Sequence, residues 1–150
     1  MKVCVLQPDY STTGVDYKNY DPPRDLSALL PDDEVHNIFL NKLTTFKQLK
    51  DLSKQGYDIF VNLCEGYLEW EVPSIDVIYF LELLDLPFTG PNSLLYDPPK
   101  ELMKYVAYTE NISTPEYILI DKKEDIENIF SGLHYPLFVK PHKAGDSLGV

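Results

Sequence analysis

Midway along the chain, the stretch from Tyr57 to Cys64 reads YDIFVNLC, an apolar run that does not alternate. A strand with one wet face alternates apolar and polar residues, whereas a strand covered on both faces does not. The run therefore predicts a central strand of a buried parallel sheet, and with it a layered α/β fold. The surrounding pattern agrees. KVCVL (2–6) reads as a short buried strand and EVHNIFL (34–40) as another. Residues 7–33, rich in Pro, Asp and Tyr, are too many for a simple connector and read as a functional loop or an irregular surface excursion.

Thr44 or Thr45 is placed to cap a helix whose apolar face is Phe46, Leu49 and Leu52 and which Gly56 ends. Pro73 opens a second helix through SIDVIYFLELLD. LPFT (86–89) reads as a short strand closed by GPN. Asp97 is expected to cap a third helix, with Pro98 at its first position, running through KELMKYVAYTE to about Asn111. A strand at 116–120, a charged helix DKKEDIENIF ended by Gly132, and a last strand PLFVK (136–140) complete the alternation. No internal repeat is present. Turn residues in GPNSLLYD mark a seam, dividing the chain into 1–93 and 94–150.

Composition narrows the function classes. A hydrophobic fraction of 44% suits a packed core. The net charge of −11 opposes nucleic-acid binding, which needs a surplus of Lys and Arg on one face. It does not exclude a nucleotide as a ligand, because a few lysines and backbone N–H groups hold a triphosphate locally. No apolar run approaches the roughly 20 residues a membrane helix needs, and MKVCVLQPDY is too short in its apolar part for a signal peptide. A cytoplasmic protein is expected, with no membrane partner. Cys4 and Cys64, far apart in apolar runs, read as reduced and buried.

HExxH, CxxC, GxSxG, Walker A and GxGxxG are all absent, and His36, His134 and His142 are scattered, so no metal site is read and no catalytic residue is assigned. What remains is KPHKAGDSLGV (140–150). Lys140 leaves an apolar run with its ammonium aimed at one spot. Gly145 and Gly149 allow close backbone approach, Ser147 offers a hydroxyl, and the intervening N–H groups can converge on phosphate oxygens. The same letters also suit an ordinary turn.

Four stretches in register resemble the ATP-grasp ligases, most closely the D-alanine–D-alanine ligase family: YDIFVNLCEG, LELLDLPFTG, PKELMKYVAYTENISTP and YPLFVKPHKAGDSLGV, over some ninety residues. The resemblance implies a Rossmann-like pre-ATP-grasp domain (1–93) with a parallel sheet, then the start of an ATP-grasp small α+β subdomain (94–150). It places Lys100 and Lys140 on the family's two ATP-contacting lysines. Gly145, Ser147 and Gly149 fall in the flap over the phosphates, and Glu65 at a turn facing substrate. Pro99 and Met103 stand where the family has Asp and Thr, Asp146 where it has Ser, and Glu65 where it has His. QPDYSTTG replaces its glycine-rich turn after the first strand, leaving the substrate pair open.

The implied chemistry is ATP-dependent joining of a small-molecule carboxylate to an amine through an acyl phosphate, with Mg²⁺. The Mg²⁺ ligands, adenine pocket and transition-state arginine are expected outside these 150 residues, which are expected not to turn over alone. The family's habit implies a homodimer. Two other readings stand beside this one: a non-catalytic Rossmann-like binding or interaction module, and an unrelated flavodoxin-like domain.

Overall fold

The first strand, β1 (Lys2–Pro8), lies between β2 (Glu34–Leu40) and β3 (Ile59–Asn62) in a sheet of order β2-β1-β3, both pairings parallel. The computed structural model describes residues 1–14, 21–126 and 133–143. Lys2 pairs with Glu34 and Pro8 with Leu40 on one side, while Val3 pairs with Ile59 and Leu6 with Asn62 on the other. The α/β class and the parallel sheet thus follow the sequence, but its centre does not. β1 is the strand buried on both faces, with Val3, Cys4, Val5 and Leu6 all at 1% exposure or less. In the 57–64 run only Phe60 and Cys64 are buried. Beyond β3 the expected strand LPFT shrinks to a single parallel bridge, Phe60 to Phe88, with Phe60 N–H donating to Pro87 O (2.9 Å) and Thr89 N–H to Phe60 O (3.0 Å).

Helix α1 (Thr45–Leu52) returns the chain from β2 to β3, and α2 (Ile75–Leu83) follows β3. One face of β1, Cys4 and Leu6, packs with Leu40, Leu49, Leu52, Phe60, Cys64, Val77 and Leu81 into the core. Thr44 precedes α1 but its side chain makes no capping bond. Gln48 ties the entry to the helix instead: its Oε1 accepts from Asn41 N–H (2.8 Å) and its amide donates to Phe39 O (3.1 Å). Gly56, at φ +69°, lies in the turn after the helix.

Successive residues of a strand face opposite ways, so Val3, Val5 and Gln7 form the other face of β1. The stretch between β1 and β2 carries only short 3-10 turns among its described residues, Tyr10–Thr12 and Ser27–Leu29. Buried Gln7 ties it down: its amide donates to Arg24 O (2.9 Å) and accepts from Arg24 N–H (2.7 Å). A buried amide satisfied on both sides anchors an otherwise irregular segment.

The chain divides into two compact units, Met1–Tyr96 and Asp97–Val150. In the second, α3 spans Lys100–Thr109. It starts later than expected, and Asp97 does not cap it. Pro99 disfavours the helical conformation of Pro98 before it, and Pro99 is itself extended (ψ 140°). The helix closes with Asn111 at φ +56° and Ile112 N–H on Ala107 O (2.8 Å), a left-handed C-terminal cap.

The strands expected at 116–120 and 136–140 do not form. Ile118, Leu119, Ile120, Phe138 and Val139 are all exposed. A strand persists by ladder pairing and a covered face, and neither segment has either among the described residues. The charged helix is a 3-10 turn at 123–126 as far as the described residues go, Asp125 Oδ2 accepting from the N–H groups of Asp121 and Lys122. Its remainder and Gly132 lie outside them.

Candidate functional site

In an open parallel sheet, ligands bind beyond the carboxyl ends of the strands, where successive connections leave in opposite directions. The order β2-β1-β3 puts that point between the ends of β1 and β3. The chain leaving β3 runs through Leu63, whose N–H donates to Leu6 O (2.9 Å), to Cys64, Glu65 and Gly66. Glu65 is exposed there. Gly66 at φ +119° turns the chain, and a Cβ on it would meet the Trp70 ring at 2.3 Å. Its N–H donates to the Tyr96 hydroxyl (2.6 Å), and Trp70 stands edge-on to Tyr67, ring centres 5.6 Å apart.

The chain leaving β1 supplies Asp9 and Tyr10. The Tyr10 hydroxyl donates to Asp21, which also pairs with Arg24. Burial, then the Asp21 hydrogen bond and the nearby Asp21 charge, push the phenol above its ordinary range. The chain leaving β2 supplies Asn41 and Lys42. The Lys42 ammonium lies 2.6 Å from Asp76 Oδ1 and 3.2 Å from Ser74 Oγ at the start of α2.

Both cysteines are free and buried. Burial raises the Cys4 thiol to about 12 and pushes Cys64 higher still. Such thiols are poor nucleophiles at neutral pH. Among the described residues no group of three His, Cys, Asp or Glu side chains gathers to hold a metal ion, and no helix is long and apolar enough to cross a membrane.

Lys100 and Lys140 belong to the second unit. Lys100 is the first residue of α3, and its N–H donates to His142 O (3.1 Å), so the segment just past Lys140 closes the N-terminus of that helix. Glu101 Oε2 lies 3.0 Å from His142 Nδ1, an ion pair when the imidazole is protonated. Lys140 is exposed. An open groove of about 430 Å³ is lined by Glu116, Tyr117, Ile118 and Leu133, and neither lysine lines it. Gly145, Ser147 and Gly149 lie outside the described residues.

Sequence reasoning singled out Glu65, Lys100 and Lys140, and it did not single out Tyr10, Asp21, Lys42, Ser74 or Asp76, which the structure gathers at the strand ends. The available signal was position: Tyr10 and Lys42 each stand two residues past the end of a parallel strand.

No family model and no solved structure matches the chain. Curated relatives do. A D-alanine–D-alanine ligase of Nitrosomonas eutropha is 35% identical over 107 residues, covering 68% of this chain and 33% of the relative. The ligase of Nitrosomonas europaea is 32% identical over the same length and shares. D-alanine–D-alanine ligase B of Clostridium perfringens is 36% identical over 76 residues, 47% of this chain and 24% of that protein. The chain spans about a third of the length of the first two relatives. With its parallel α/β sheet it is a homologue of the D-alanine–D-alanine ligases, in keeping with an N-terminal portion of that family.

Proposed function

We propose that this chain is the N-terminal, substrate-side portion of an ATP-dependent carboxylate–amine ligase working through an acyl phosphate. The observation that carries the reading is the 107-residue match to a D-alanine–D-alanine ligase on a parallel α/β unit. In this reading the unit Met1–Tyr96 serves as the pre-ATP-grasp domain and presents Glu65 to the substrate. The second unit begins the nucleotide-holding subdomain. Lys100 and Lys140 neutralise phosphate charge there, and the backbone around Gly145, Ser147 and Gly149 covers the phosphates. The closure of the α3 N-terminus by His142 O supports it, since it brings the backbone just past Lys140 to Lys100. Mg-ATP is the cofactor, and the substrates are small molecules. In this reading the protein works in the cytoplasm and as a homodimer, as the family resemblance implies.

Calorimetric titration with Mg-ATP tests this. Weak binding is expected, since the adenine pocket is expected outside these residues, and it is weakened at least a further tenfold by Lys100→Met and by Lys140→Met, a loss of about 1.4 kcal/mol or more each. No binding, or binding that ignores both substitutions, would leave the non-catalytic module as the better account.

A further inference from the structure

The turn bearing Glu65 is braced by a network that starts on a different strand connection. Lys42 follows β2, yet its ammonium sits 2.6 Å from Asp76 Oδ1 and 3.2 Å from Ser74 Oγ, with side-chain exposures of 19% for Lys42 and 7% for Asp76. The same carboxylate oxygen accepts the Ser74 N–H at 2.8 Å. The Ser74 hydroxyl has a single proton, and its shortest acceptor is Tyr67 O at 2.7 Å. With Lys42 donating to that hydroxyl oxygen, the proton is directed at Tyr67, in the turn after β3. Ile75 N–H reaches Gly66 O at 3.4 Å, the Tyr96 hydroxyl accepts from Gly66 N–H, and Trp70 covers Gly66.

A largely buried ion pair contributes little net stability, because apolar replacement of both partners is commonly neutral or favourable. Its value lies in geometry: the charges have one arrangement that satisfies them. We infer that Lys42, acting through Asp76 and Ser74, is a positioning residue for the turn at 65–70 and so sets where Glu65 stands at the switch point of the sheet. The inference rests on reading that turn as the substrate side.

Trp70 is the single tryptophan of the chain, so its fluorescence reports the turn directly. The test compares Lys42→Met and Lys42→Arg with the unaltered chain by acrylamide quenching of Trp70 and by amide hydrogen exchange. Lys42→Met is expected to raise the quenching constant about twofold and to speed exchange at 66–70 at least tenfold, while β1 amides keep their protection. Lys42→Arg is expected to restore both. Unchanged quenching and exchange at the turn would overturn the inference. So would equal acceleration at the turn and in β1, which marks general destabilisation only. Should Lys42→Met not fold, the double variant Lys42→Met/Asp76→Leu, which leaves no unpaired carboxylate, takes its place in both measurements, and the same outcomes support or overturn the inference. None of these readouts requires ATP or substrate, so their failure is distinct from a failure of the Mg-ATP titration.

Discussion

Gly66 shows what a single residue settles here. Its φ of +119° is a conformation that side chains rarely adopt, and the space a Cβ would take is filled by the Trp70 ring at 2.3 Å. Gly66→Ala is expected to lower unfolding free energy by about 2–4 kcal/mol, measured by urea denaturation, with a shift in Trp70 emission. The thiols are informative in another way. Folding raises the Cys4 thiol from 9.0 to about 12 by burial. Above pH 9 the unfolded chain therefore loses a proton that the folded chain keeps, and stability falls as pH rises from 9 towards 12. Urea midpoints should drop between about pH 8 and pH 10, and less steeply in Cys4→Ala. Glu65 was singled out through the resemblance to the ligases, whereas nothing in the sequence pointed to Lys42 and Asp76. They stand 34 residues apart, and nothing local links them.

At the scale of elements, patterns with their partners close at hand were read well. β2 runs over the same residues as its seven-letter motif EVHNIFL. α1 occupies the amphipathic stretch expected of it, and Leu49, fully buried, anchors it to the core. Leu49→Ala is expected to cost about 2–5 kcal/mol, measured by the thermal or denaturant midpoint. The segments 116–120 and 136–140 have strand-like letters but no strand. β-propensity describes a fit to a pleated, half-buried surface, and no such surface meets these residues among those described. The late start of α3 was legible in principle, because the pair Pro98–Pro99 excludes a helical residue before the second proline.

At the scale of the molecule, the first unit holds the buried core and the second has no buried residue in its helix. Protection from exchange should follow burial and pairing. β1 amides are expected to exchange slowest, near the global unfolding rate, and amides at 112–126 orders of magnitude faster, as mass spectrometry of deuterium uptake would show. Equal protection in the two regions would contradict this. The sequence by itself determined the alternation of strands and helices in the first unit, the parallel α/β class and the kinship with ligases, since each is written in local pattern and motif order. Only the tertiary structure decided that β1 is central, that LPFT contributes one bridge, and that Lys42 meets Asp76. Those outcomes depend on which distant segments bury each other, and long-range burial leaves no periodic trace in the residues that take part.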